Sequence, residues 1–250
     1  MNHIVALLSV SLALNVPSAA FSAPSAPPPA SASLTPVTPE RTALARELVG
    51  YTQPKDLMLS AVLFGYEKGA SEQDAGDLAK LESIQPGLGA RITERGKTEL
   101  VALVSEEIPR MHDRLATLFA ANCTGEELKA LIAFYSSAAG TKMIRSVTMS
   151  DTGGDSFDDE KFTADEATRA NRAAAKEAAK SLNGDEWMVM MKFATSPAGR
   201  AAKALGPQVQ AISAEWMTRL MADFGKRIEP ITEEMVKRAV EEADKRAGAD

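Results

Sequence analysis

The stretch that decides the fold of this 250-residue chain is Thr124–Met143, TGEELKALIAFYSSAAGTKM. It opens with a capping box, in which the threonine hydroxyl and the Glu127 carboxylate each satisfy a backbone N–H at the start of a helix. Apolar residues then recur with a helical period up to Phe134. Ser137 ends this helix and caps the next, and Gly140 lets the two backbones approach closely. The stretch therefore predicts a helix–turn–helix unit.

A second stretch, Asn183–Ala202, reads NGDEWMVMMKFATSPAGRAA and aligns with the first without a gap. Pro197 takes the first position of its second helix, where proline is tolerated. One unit cannot bury its apolar stripe alone, so each must pack against the other or against the preceding helices. We therefore predict an internal duplication. The identical pairs are Gly125/Gly184, Glu127/Glu186, Phe134/Phe193, Ser137/Ser196, Ala139/Ala198 and Gly140/Gly199.

The first stretch resembles the signature of bacterial secreted proteins classed as domain of unknown function 2059, which show EELKAL-x-x-FY-x-S-P-x-G-x-K after a long helix. Ala138 stands where that family usually has proline. The resemblance implies an all-helical exported domain and carries no activity with it. We expect a structural role for the residues of the motif in both stretches: Thr124, Glu127, Leu128, Leu131, Phe134, Tyr135, Ser137, Gly140, Glu186, Phe193, Ser196, Pro197 and Gly199.

The rest of the chain is also typical of helices. Aromatic residues make up only 5% of it, and strong helix formers outnumber the residues that strands prefer. We predict an all-α helical bundle of about eight to ten helices. We place the first unit in a helical domain at 39–150 and the second in a helical region at 163–250, joined by an acidic loop at 151–162.

Proline positions predict where the longer helical segments end. Pro109 lies inside an apolar pattern that continues to Ala121, so a kink or a break is expected there. Gly206-Pro207 is expected to break the segment after Pro197, and a last helix is expected to begin near Thr232.

The N-terminus has the features of a secretory signal peptide. All 28 basic and 34 acidic residues lie at or after Glu40. Ile4–Val16 is apolar but shorter than the ~20 residues that span a bilayer, and Ser18-Ala19-Ala20 fits a cleavage site. We predict a signal peptide at 1–20, a Pro/Ala/Ser-rich linker at 21–38, and a periplasmic or secreted protein with no transmembrane segment after cleavage.

Candidate chemistry is sparse in the predicted mature chain. His112 and Cys123 lie 11 residues apart, about 16 Å along a continuous helix at ~1.5 Å per residue, too far for a nucleophile and its base. We expect a buried cysteine and a surface histidine. The acidic loop lacks the EF-hand spacing, since Ser156 and Phe162 stand where glycine and glutamate are needed. We predict no cofactor and no metal site, and a net charge of -6 argues against nucleic acid.

Two apolar clusters leave a choice between core and surface. Met190 and Met191 align with core positions of the first unit, so we expect them to be buried and Met188 to be exposed. Trp216 and its apolar neighbours fit either the core or a groove for a partner.

These observations favour a noncatalytic binding or structural protein of the bacterial envelope, whose partner is an envelope protein or a second copy of the chain. A hydrophobic-ligand carrier, or an enzyme with an unrecognised site between helices, is the alternative.

Overall fold

The computed structural model of the chain describes residues 36–71, 75–149, 176 and 178–247. Eight helices lie within these ranges, none of their residues forms a strand, and the all-α prediction is confirmed. The predicted signal peptide, most of the linker and the acidic loop lie outside the described residues. The helices are α1 (Pro39–Thr52), α2 (Lys55–Ser71), α3 (Ala75–Ile84), α4 (Leu88–Asn122), α5 (Gly125–Tyr135), α6 (Ala138–Thr148), α7 (Gly184–Thr195) and α8 (Pro197–Ala247).

Helix α1 begins where its sequence predicts a start. The Thr38 side chain accepts a hydrogen bond from the Arg41 backbone N–H at 3.2 Å, and proline occupies the first helical position. The helix packs against α4 and α5. The buried Arg41 guanidinium donates to the carbonyl of Ala120 in α4. The buried apolar residues of this face are Ala45, Leu48 and Val49.

The two longest helices, α4 and α8, pack against each other in antiparallel directions. Glu106 in α4 pairs with Arg227 in α8, whereas Arg114, further along α4, pairs at 2.7 Å with Glu215, which comes earlier in α8. Helices α1, α2 and α3 also pack on α4, so α4 is the central element of the described fold.

The prediction of a break at Gly206-Pro207, and of a new helix near Thr232, is wrong. Helix α8 runs without interruption through Pro207 and Pro230, as α4 does through Pro109. A proline removes one backbone donor and costs about 3 kcal/mol in a helix. Leu205 and Val209, on either side of Pro207, are buried, and burial of such side chains contributes ~1.5–3 kcal/mol each. Tertiary packing therefore outweighs the local preference.

One hydrophobic core connects both predicted repeat units. It contains side chains from α1, α2 and α4 to α8, so the units bury their stripes together with the preceding helices. Trp216 and its neighbours belong to this core. Its members in α8 include Trp216, Met217, Leu220 and Met221.

Candidate functional site

The capping box predicted at Thr124 is formed, and Asn183 forms the same arrangement in the second unit. In α5, the backbone N–H of Thr124 donates to Glu127 Oε2 at 2.8 Å, and the Glu127 N–H donates back to the threonine Oγ1 at 3.2 Å. In α7, Asn183 and Glu186 exchange the same two hydrogen bonds, each at 2.9 Å. These residues fix the start of each first helix. They are committed to backbone groups, which indicates a structural role.

The turn between the two helices of each unit has a common geometry. Ser137 Oγ donates to the Phe134 carbonyl at 2.6 Å and accepts from the Gly140 N–H at 3.2 Å. Ser196 makes the equivalent bonds, at 2.7 Å to the Phe193 carbonyl and 3.0 Å from the Gly199 N–H. The serine thus caps both the end of one helix and the start of the next.

The glycines of the motif are needed because the turn brings two backbones together. A Cβ on Gly140 would lie 2.2 Å from the Phe134 carbonyl oxygen, and one on Gly199 would lie 2.1 Å from that of Phe193. Both distances are well inside van der Waals contact, so any side chain would force the helices apart.

The two units pack crosswise, α5 against α8 and α6 against α7. At the centre, the rings of Phe134 and Phe193 stack, and Tyr135 contacts both rings edge-on. Lys142 of α6 pairs at 2.8 Å with Glu186, the capping-box residue of α7. The units thus share a geometry and contact each other through the equivalent residues Phe134 and Phe193, while their origin by duplication stays a prediction.

Sequence reasoning missed a buried charge between α4 and α8. The Glu107 carboxylate is buried, pairs with Arg110 and lies 3.7 Å from Arg219 Nε. Glu107 lies one turn from the buried Val104 and Met111. This position on the apolar stripe of α4 was the signal that could have revealed it. Because the charges compensate one another, the pair has the character of a structural contact between helices.

Cys123 and His112 are not brought together. Cys123 is buried at the end of α4, and burial raises its thiol pKa to about 12. His112 is half-buried, which corrects the expected surface position. Burial lowers its pKa, and the Gln53 backbone, in the turn before α2, forms a hydrogen bond with it. The uninterrupted α4 helix keeps the two side chains about three turns apart.

Metal ligands do not converge in the described ranges: no group of three or more His, Cys, Asp or Glu residues lies close enough to hold an ion. The acidic loop at 151–162 falls outside those ranges. Among the helices that the structure describes, none combines the length and apolarity needed to cross a bilayer.

The strongest candidate for a functional surface is one face of α7. Trp187 is 43% exposed, Met188 70% and Met191 37%. These positions share one side of the helix, and we call them the α7 face. Met190 is buried as predicted, but the prediction that Met191 is buried is wrong. In the first unit, the residue equivalent to Trp187 is Leu128, which is 0% exposed.

The comparisons with known proteins agree with the resemblance of the first unit. Neither a curated protein nor a solved structure matches this chain. The model of a family described as "Uncharacterized protein conserved in bacteria (DUF2059)" matches residues 109–146, which cover the C-terminal part of α4, all of α5 and most of α6. The match supports the resemblance of this segment to the bacterial family DUF2059.

Proposed function

We propose that this chain is an exported, noncatalytic binding protein of the bacterial envelope, and that it contacts a protein partner through the α7 face. The observation that carries the binding role is the exposure of Trp187, Met188 and Met191 on one side of a single helix. Isolated apolar residues are common on protein surfaces, whereas the largest contiguous apolar patch of a protein is often functional.

The noncatalytic part of the proposal is supported by the roles that the polar residues already have. The motif residues Thr124, Glu127 and Ser137 bind backbone groups. The buried Glu107 is paired with arginines. The raised pKa of Cys123 keeps its thiol protonated and weakly nucleophilic near neutral pH.

Export rests on the sequence of the N-terminus. An uncharged apolar stretch is followed by the small residues Ser18-Ala19-Ala20 and then by a proline-rich segment. This order is typical of a signal peptide with a cleavage site. The proposed mature protein begins at Phe21.

Native mass spectrometry of the full-length gene product, isolated from the periplasm, tests both parts. We expect a chain that begins at Phe21 and carries a protein partner, which is lost in the Met188→Glu variant and kept in Val240→Glu. Val240 is similarly exposed, at 39%, in the C-terminal part of α8 and serves as the matched control. An unprocessed cytosolic chain contradicts export, and a monomer with a stoichiometric small molecule contradicts the binding role.

A further inference from the structure

The first unit shows what covers the equivalent of the α7 face. Helix α1 packs on α5, and its Glu40 carboxylate lies 4.0 Å from the Lys129 ammonium. Lys129 is the α5 residue that aligns with Met188. Helix α1 therefore lies beside α5 near the position that corresponds to Met188, and in this unit Leu128, the counterpart of Trp187, is buried.

The same flank of α7 has no such cover among the described residues. Helix α7 packs chiefly against α5, α6 and α8, and its buried residues are Met190 and Phe193. The second unit thus presents an apolar flank at the position where the first unit has a bound helix.

We propose that the α7 face binds an amphipathic helix of a partner protein, seated on α7 as α1 is seated on α5. This inference rests on the proposed binding role and names the class of partner. Helix α1 supplies the template, with apolar residues at Ala45, Leu48 and Val49 on its buried side. This i, i+3, i+4 spacing is the pattern of helices that bind in grooves.

The size of the face favours a single helix over a second copy of the chain. Large aromatic side chains bury roughly 150–250 Å² when fully covered, and with a similar area for methionine the exposed fractions of the three residues correspond to roughly 300 Å². Stable dimers bury about 800 Å² on each partner. An isolated helix or peptide is anchored by a few apolar side chains, so the apolar area that it needs is close to the area of the α7 face.

The composition of the face also fits this partner. Met188 and Met191 have flexible, polarizable side chains that adapt to different apolar surfaces. Trp187 adds a large, rigid anchor of the kind that dominates binding energy at interfaces. The face is therefore suited to the apolar side of an amphipathic helix.

A synthetic peptide with residues 38–53 of this chain, TPERTALARELVGYTQ, is a direct probe. It contains no tryptophan, and Trp216 is buried in the core, so Trp187 fluorescence of the full chain reports binding at the α7 face. We expect a saturable blue shift with the peptide and none with a scrambled peptide of the same composition.

Variants locate the binding. Met188→Glu places a charge that binding would have to desolvate, so we expect at least about tenfold weaker peptide binding, while Val240→Glu binds as the native chain does. Equal binding by Met188→Glu, or no saturable shift in the native chain, overturns the inference. A concentration-dependent dimer that Met188→Glu abolishes also overturns it, in favour of a second copy.

The two proposals fail separately. If native mass spectrometry shows a protein partner that depends on Met188 but the peptide does not bind, the binding role stands and the helical partner is wrong. If the periplasmic protein carries no partner and the peptide does not bind, both are wrong.

Discussion

Phe134 and Phe193 hold equivalent positions in the two units, and their rings stack with centroids 3.8 Å apart and planes 1° from parallel. Each ring lies three residues before the capping serine of its unit. The carbonyl of each phenylalanine also accepts the serine hydroxyl and lies against the motif glycine of its own unit. The stack therefore joins the two turns as well as the two helices.

Removal of either ring should destabilise the whole described fold. We expect Phe134→Ala and Phe193→Ala each to lower the free energy of unfolding by ~3–5 kcal/mol, since both side chains are buried in the shared core. A double-mutant cycle should give a coupling of about 0.5–1.5 kcal/mol for the ring pair. Urea denaturation measures both quantities, and strictly additive losses would contradict a direct interaction between the rings.

Substitution of Gly199 by alanine tests the close approach at the turn. The new Cβ would meet the Phe193 carbonyl oxygen at 2.1 Å, so Gly199→Ala should cost ~1–3 kcal/mol of stability through overpacking. A Cβ on Gly225, in the same helix, would meet no neighbouring atom within 4 Å. Gly225→Ala should stabilise by about 0.5–1 kcal/mol because alanine favours the helix. Thermal unfolding of the two variants should shift in opposite directions.

The local features of the fold could be predicted from sequence because they depend on near neighbours. The capping boxes at Thr124 and Asn183 require only residues three positions apart, and both are formed. The helix starts at Pro39 and Pro197 follow from the geometry of proline. For the same reason, the motif serines and glycines have the contacts expected of them.

Features that depend on distant residues could not be predicted in this way. The continuity of α8 through Pro207 depends on a core shared with helices more than 60 residues earlier in the chain. Met191 aligns with Ile132, which packs against the core, yet Met191 is 37% exposed. The alignment of the units predicted equal surroundings, whereas the helices around them differ.

Truncation of the buried Glu107 should lower the free energy of unfolding more than replacement of Glu107 and Arg219 together. Glu107→Ala leaves the cationic Arg219 without the carboxylate that faces it, and we expect a loss of ~1–3 kcal/mol. Replacement of both residues by methionine should cost less than the single truncation, since packed apolar side chains can substitute for a buried ion pair. Chemical denaturation of the native chain and the two variants tests this order, and a double variant that loses more than the single one contradicts it.

His112 should make stability depend on pH below neutrality. Burial lowers its pKa in the folded chain, so folding favours the neutral ring. The stabilisation from the neutral ring is present above pH 6.5, roughly the pKa of histidine in the unfolded chain. It is lost as the pH falls through the lower pKa that His112 has in the folded chain. We expect the native chain to lose more stability between neutral and acidic pH than His112→Gln does. Parallel curves for the two proteins would show that the ring is not buried in the folded state.

Cys123 should be inert in the folded chain and should weaken the fold at high pH. Burial raises its pKa from 9.0 to about 12, so near pH 8 only about one thiol in ten thousand is ionised. We expect no reaction with a thiol reagent until denaturant is added, when labelling should be complete. Folding favours the neutral thiol. The stabilisation that results is present below the pKa of Cys123 in the unfolded chain, and it is lost as the pH rises toward the pKa of Cys123 in the folded chain. Cys123→Ala should therefore show a flatter loss of stability above about pH 9 than the native chain. Rapid stoichiometric labelling of the native protein would instead place the thiol at the surface and remove the reason for its raised pKa.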